Sequence, residues 1–195
     1  MEGQEIINKI REFVKEECKK PSNKYGFEPY INHFVPTAKY VKLLGKENDL
    51  NEDQIEILEI AAWLHDIGSI MVGRENHHIT SGEIAEEKLN ELNYPKEKII
   101  KIKKIIFSHR GSQGIKPKSI EEQILIDADA INDFNHIEGL FKAAYDEGLS
   151  QKDARASVKQ KLNNSYNKLS EKGKNSIKDK WGAVILLLNE NILNE

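Results

Sequence analysis

The sequence has a single cysteine, only five prolines and no long apolar run. The lone Cys18 excludes an internal disulfide and a cysteine-rich zinc site, so a metal would need His, Asp or Glu ligands. The longest apolar run, residues 183–188, is far shorter than the roughly 20 residues of a bilayer span, and the N-terminus opens on charged residues rather than a signal-peptide core. We therefore expect a cytoplasmic protein without a membrane partner, in which Cys18 is a bystander thiol.

The sequence also lacks a strong excess of one charge. It contains 29 Lys and Arg against 32 Asp and Glu, a formal net charge of -3, and the basic residues are spread through every segment. This balance gives no electrostatic reason to expect a nucleic-acid partner. An anionic substrate would have to be held by positive charge placed locally.

Few residues in this sequence interrupt helices, and apolar residues recur at steps of three and four. This pattern predicts an all-α fold. The length of 195 residues suits one domain spanning 1–195. We expect the first and last helices to cover the central ones, with helices over 3–19, 30–45, 52–67, 79–92, 96–110, 120–132, 135–147, 151–168 and 171–192. The segments 21–26, 68–76 and 111–118 are expected to be loops.

All six histidines lie between positions 33 and 136. His65 and Asp66 end an apolar helix face that includes Ile60 and Leu64. Burial of a carboxylate there would cost several kcal/mol unless a cation or hydrogen bonds compensate it. A metal ion would do so.

Three other segments place a polar side chain on an apolar helix face in the same way. They carry His33, His109 and Asp129. Each alone is ordinary, because a buried histidine can be satisfied by a neighbour and a carboxylate can cap a helix. Four together favour a site for a borderline divalent metal such as Mn, Fe, Co, Ni or Zn, which accepts both nitrogen and oxygen ligands.

The order of these residues resembles the HD-domain metal-dependent phosphohydrolases. The pattern consists of His33, the tetrapeptide His65-Asp66-Ile67-Gly68 and the distant Asp129. The resemblance covers about residues 28–148, the expected HD core, and leaves 150–195 as a C-terminal helical extension. It implies a compact all-helical fold in which His33, His65, Asp66 and Asp129 hold a metal ion.

Two more histidines, His78 and His109, resemble those that some family members use for a second metal. With one metal they would instead face the substrate phosphate, as hydrogen-bond donors or as the proton source. In the dinuclear case Asp66 would bridge the ions, and in either case it would accept a proton from the attacking water or orient that water. The sequence leaves the choice between these roles open.

Other polar residues near the motif have less certain roles. Asp127 is expected to orient a ligand rather than to be one, and His77 to be a solvated loop residue. His136 could line the pocket or lie in the core or on the surface. Phosphate oxygens could be bound by basic side chains; the candidates are Arg110, which is preferred because it follows His109, then Arg74 and Lys116.

The resemblance implies hydrolysis of a phosphate ester or anhydride by metal-activated water, with a nucleotide as the best guess for the substrate. One or two divalent ions (Mn, Fe, Co, Ni, Zn or Mg) would be the cofactor, and the C-terminal extension could shape the pocket entrance or a homodimer contact. Two alternatives belong to other functional classes. One is a di-iron oxygenase of the same fold, and the other is a non-catalytic, metal-binding regulatory domain.

Overall fold

The computed structural model describes residues 3–110 and 114–189, and these residues contain helices and no strands. The expected all-α fold is confirmed. The helices are α1 (Gly3–Lys19), a π-helical turn (Tyr30–Phe34), α2 (Val35–Glu47), α3 (Glu52–Leu64), α4 (Ile67–Met71), α5 (His77–Glu91), α6 (Lys96–Ser108), α7 (Ile120–Asn135), α8 (Ile137–Asp146), α9 (Gln151–Lys168), α10 (Glu171–Ser176) and α11 (Lys178–Leu188).

Two helices begin at side chains that cap their first turn. Asn51 begins α3 with a capping box, in which its side chain accepts from the Gln54 amide at 2.9 Å and the Gln54 side chain accepts from the Asn51 amide at 3.2 Å. Ser150 begins α9 in the same position, and its hydroxyl accepts from the Asp153 amide. These bonds satisfy amide groups that have no partner inside the helix.

The structure departs from the predicted helices at three places. The helix expected over 30–45 starts with the π-helical turn, in which the Val35 amide bonds to the Tyr30 carbonyl. Pro36 follows directly and has no amide hydrogen for a normal helical bond, which favours the wider turn. The expected loop 68–76 contains most of α4, because Ile67 and Ile70 are buried. The expected helix 171–192 is divided at Ile177 into α10 and α11.

Two parts of these predictions lie outside the described residues. They are residues 190–192 of the expected last helix and residues 111–113 of the expected loop 111–118.

The chain divides into two compact units, Met1–Asp129 and Ala130–Glu195. In the first unit α3 is central, because it packs against α1, α2 and α6 and every residue from Ile57 to Leu64 is buried. This burial explains the near absence of polar residues from the last two turns of α3. The expectation of one domain stays a prediction.

The second unit consists of the end of α7 and the helices that follow it. Helix α9 packs against α8 and α11, and Tyr166 stacks on Trp181 with ring centroids 4.2 Å apart. The Ser165 hydroxyl donates a buried hydrogen bond of 2.5 Å to Asp133. None of the described helices is both long and apolar enough to cross a membrane.

Candidate metal centre

The end of α3 and the π-helical turn place three predicted ligands together. His33 Nε2 lies 3.0 Å from His65 Nε2 and 3.1 Å from Asp66 Oδ2. His65 follows the last residue of buried α3 and is itself fully buried. Asp66 lies between α3 and α4, with its side chain 26% exposed. The three donor atoms could hold one ion.

Asp129 reaches this group from α7. Its Oδ1 lies 3.8 Å from both His33 Nε2 and His65 Nε2, and its side chain is only 9% exposed. The structure therefore brings together the four residues in which the chain resembles the phosphohydrolases.

A second group uses the other oxygen of Asp66. Asp66 Oδ1 lies 3.1 Å from His77 Nε2 and 3.3 Å from His109 Nε2, and the two histidine nitrogens are 3.1 Å apart. These atoms could also hold an ion. One carboxylate thus has an oxygen beside each of two imidazole pairs.

Backbone carbonyls determine which nitrogen of three imidazoles carries a proton. His65 Nδ1 lies 2.8 Å from the Ala62 carbonyl and His77 Nδ1 lies 2.9 Å from the Arg74 carbonyl, while His109 Nδ1 contacts the Ile106 carbonyl. A carbonyl only accepts hydrogen bonds, so each neutral ring keeps its proton on Nδ1 and directs the Nε2 lone pair into the group. Metal-binding histidines have this arrangement in proteins.

The lone pairs and the buried carboxylate oxygen fit a cation. With Nδ1 protonated, His77 and His109 have no Nε2 hydrogen to share across their 3.1 Å separation. With both rings in this neutral form, the buried Asp66 Oδ1 has no hydrogen-bond donor among the described residues. A divalent ion would satisfy all three atoms, and nitrogen with carboxylate ligands suits a borderline transition metal.

The electrostatics of the group keep Asp66 ionised. Burial opposes ionisation, but the imidazoles of His65, His109, His33 and His77 outweigh it and hold the pKa of Asp66 well below its usual value. For His109 the largest effect is burial, which lowers the pKa of the ring although the hydrogen bond and the charge of Asp66 act in the opposite direction. For His77 burial is outweighed by the hydrogen bond and the charge of Asp66, so its pKa is raised. The site thus has a fixed negative charge at its centre.

The structure places His77, and not His78, in the second group. The prediction that His77 is a solvated loop residue is wrong, because α5 begins at His77 and the side chain is 13% exposed and faces Asp66. A possible signal was Asn76, which precedes the helix with a φ of 52°, since Asn tolerates that conformation better than most residues.

His78, the neighbour predicted from the sequence, lies on another side of α5. It is buried, and its ring lies 5.2 Å from that of Phe107. Arg110 Nη1 lies 3.3 Å from His78 Nδ1. Burial and then the charge of Arg110 lower the pKa of His78. His78 therefore lies beside Arg110, the predicted phosphate-binding residue, and not beside Asp66.

Among the described residues, the remaining candidates are not members of the two groups of possible ligands. Asp127 accepts a 2.8 Å hydrogen bond from Gln123. His136 lies after α7 with its Nδ1 3.1 Å from Glu138. Arg74 contributes its carbonyl to His77. Lys116 lines a separate cavity.

Comparisons with known proteins agree with this arrangement. The sequence profile of the HD domain family matches residues 30–132, which include every residue of both groups. The structure of Bacillus subtilis YpgQ in complex with ADP is similar over 100% of this chain and 98% of YpgQ, with 18% identity and a TM-score of 0.73. A predicted HD superfamily hydrolase from an uncultured Thermotogales bacterium is similar over 94% of this chain and 91% of its own, with 20% identity and a TM-score of 0.53. No curated protein is significantly similar in sequence.

Proposed function

The chain belongs to the HD domain family, whose profile matches residues 30–132 of its 195, and we propose on that premise that it is a metal-dependent phosphohydrolase with two ions. The observation that carries the proposal is the position of Asp66, with one oxygen 3.1 Å from His33 and the other 3.1 Å from His77. A carboxylate between two imidazole pairs is the arrangement that a dinuclear centre requires.

The two ions would have different ligands. The first would be held by His33, His65, Asp66 Oδ2 and Asp129, and the second by Asp66 Oδ1, His77 and His109. Divalent ions bound there would polarise a phosphoryl oxygen and lower the pKa of a coordinated water towards neutrality. Asp66, kept ionised by the surrounding imidazoles, would orient that water for attack on phosphorus.

Arg110 would bind the substrate phosphate. Its charge acts on both His77 and His78, so it lies at the edge of the second group. His78, which is kept neutral by burial and by Arg110, would accept from the guanidinium at Nδ1 and hold it in place. His78 thus has a positioning role in this proposal.

We infer that phosphate anhydrides are better substrates than alkyl phosphate esters. An ester needs an acid to protonate its leaving alkoxide, but in this proposal His109 beside Asp66 binds the second ion and His78 accepts from Arg110, so neither expected donor is placed to protonate it. An anhydride releases a phosphate, which leaves as an anion without that help. A nucleotide is the favoured substrate, and this is supported by the ADP bound to the structurally similar YpgQ.

The test is phosphate or pyrophosphate release from a panel of nucleoside monophosphates, diphosphates and triphosphates with Mn, Co, Ni, Mg or Zn. We expect metal-dependent release from anhydrides that is lost in Asp66→Ala and Asp129→Asn. The matched comparison is Asp127→Asn, another buried aspartate of α7, which should lose less activity because Asp127 is expected to orient a ligand rather than to bind the metal. Equal loss in the Asp127 and Asp129 variants would contradict the assignment of Asp129 to the metal.

A second candidate function is a di-iron oxygenase, which the second imidazole pair favours because nitrogen and carboxylate ligands also suit iron. Metal analysis of the purified protein distinguishes the two candidates. Tightly bound iron, oxygen consumption with an organic substrate and no release of phosphate from any nucleotide would support the oxygenase over the hydrolase.

A further inference from the structure

A concave groove lies on the first unit, lined by residues of α3, α5, α6 and the segment leading into α7. Its volume of about 860 Å³ is within the range of about 300–1,000 Å³ for small-molecule sites. The lining includes five lysines: Lys101, Lys103, Lys104, Lys116 and Lys118. We call this feature the lysine groove.

The lysine groove is positive although the whole chain is negative. Its described lining contains five lysines against three glutamates, Glu83, Glu121 and Glu122. Lys103 is paired with Glu86. Within residues 3–110 and 114–189, no carboxylate forms an ion pair with Lys104 or Lys116, so their charges attract an anion.

The lysine groove also has an apolar part. Phe107 is 46% exposed and Ile79 is 44% exposed, and both line the groove together with the buried Ile57 and Ile105. Large apolar side chains exposed in a concavity with charged edges are typical of a site for a ligand that has both an apolar and a charged portion. The aromatic ring of a bound ligand, stacked on the side chain of Phe107, would cover this exposed apolar surface.

The lysine groove is distinct from the candidate metal centre. His78 and Ser108 line the groove, whereas their neighbours His77 and His109 face Asp66. Adjacent residues of a helix point in directions about 100° apart. The beginning of α5 and the end of α6 therefore separate the two sites.

We propose that the lysine groove binds a nucleoside diphosphate, with the phosphates on Lys104 and Lys116 and the base on Phe107. This ligand matches the groove in charge and in aromatic character. The site is additional to the metal centre and does not depend on the proposed hydrolysis.

The experiment measures binding of ADP by calorimetry to the Asp66→Ala protein in EDTA, where metal-dependent binding at the catalytic site is removed. We expect saturable 1:1 binding that weakens with added salt. Gly82 lines the groove, and a Cβ atom at this position would meet no neighbouring atom within 4 Å. Gly82→Trp should therefore direct an indole ring into the groove and weaken binding by at least about tenfold.

A second variant removes positive charge from the lysine groove instead of filling the groove. The double variant Lys104→Glu and Lys116→Glu should weaken binding by at least about tenfold, while Lys96→Glu, on the same helix but outside the lining, should bind as before. Circular dichroism verifies the folding of each variant. Adenosine and pyrophosphate, the two halves of the probe, should each bind at least about tenfold more weakly than ADP.

Three outcomes would overturn the proposal. The first is no binding of ADP up to about 1 mM, and the second is binding that Gly82→Trp and the double lysine variant leave unchanged. The third is pyrophosphate binding as tightly as ADP, which would leave only an anion site. None of these results bears on phosphate release by the wild-type protein, so failure of this proposal is distinguishable from failure of the proposed hydrolase function.

Discussion

His77 Nε2 and His109 Nε2 lie 3.1 Å apart, and each ring directs its Nδ1 to the backbone carbonyl three residues before it. Two lone pairs therefore face each other beside the ionised Asp66. When both rings are neutral this arrangement is repulsive, and a cation between the two nitrogens would remove the repulsion.

The first prediction concerns metal stoichiometry. His77→Ala should bind one divalent ion per chain where the wild type binds two, because it removes a donor only from the second group. His78→Ala is the matched control, since His78 is the adjacent residue but faces Phe107 and Arg110, and it should keep both ions. Equilibrium dialysis followed by elemental analysis measures both values. Loss of an ion in His78→Ala alone would restore the assignment made from the sequence.

The second prediction concerns Gly68, at which α4 approaches α5 closely. A Cβ atom there would lie 2.7 Å from the Ser81 amide nitrogen and 2.9 Å from the His77 carbonyl oxygen, and the Gly68 amide donates to the Ser81 hydroxyl at 2.9 Å. Gly68→Ala should lower the free energy of unfolding by about 1–3 kcal/mol through overpacking. It should also weaken binding of the second ion, because the turn that carries His77 must move.

Gly82→Ala is the control for that change. A Cβ atom at Gly82, inside α5, has no neighbour within 4 Å, so the variant should be as stable as the wild type or up to about 1 kcal/mol more stable. Denaturant unfolding in EDTA gives both free energies. If Gly68→Ala proved as stable as Gly82→Ala and kept both ions, the close approach would not matter for the site.

The third prediction concerns pH. Burial alone would lower the pKa of His77, but the hydrogen bond and charge of Asp66 outweigh it and raise this pKa above 6.5. A metal ion must displace that proton, so the apparent affinity for the second ion should fall as the pH drops through the raised pKa, by up to about tenfold per pH unit below it. Calorimetry of Mn binding at several pH values, in buffers of different ionisation enthalpy, measures the affinity and the protons released. An affinity for the second ion that did not change between pH 8 and pH 6 would contradict the assignment of His77.

The fourth prediction concerns Cys18, whose side chain lies in the core of the first unit with 1% exposure. Burial, aided by the charge of Glu17, raises the pKa of the thiol to about 12. At pH 8 only about one thiol in ten thousand would be a thiolate, the reactive form. The folded protein should therefore resist a disulfide reagent for hours and react fully in guanidinium chloride. Rapid reaction of the folded protein would show that this part of the core opens readily.

The helices could be predicted from the sequence because their apolar periodicity and capping residues are local. Asn51 and Ser150, residue types that favour the start of a helix, cap α3 and α9, and the apolar end of α3 correctly indicated a buried helix. The π-helical turn could not be predicted in the same way, because a wider turn changes the hydrogen bonding of the backbone without a clear change in the apolar pattern.

The candidate site was predictable to a similar extent. Four residues were expected to converge, and the structure brings His33, His65, Asp66 and Asp129 together, while their role as ligands stays a prediction. The choice between His77 and His78 depends on the rotation of α5 about its axis, and adjacent helical residues point about 100° apart. Contacts between separate parts of the chain, such as the hydrogen bond from the Gly68 amide to Ser81 of α5, leave no periodic signal in the sequence.

The contacts that orient His65, His77 and His109 all join a ring to the carbonyl three residues before it. Each ring therefore has its orienting acceptor within four consecutive residues of the chain. This acceptor is a backbone carbonyl, which every residue type provides, so a substitution at the residue that carries it leaves the acceptor in place. The tautomers of the three rings should therefore tolerate changes in the neighbouring side chains.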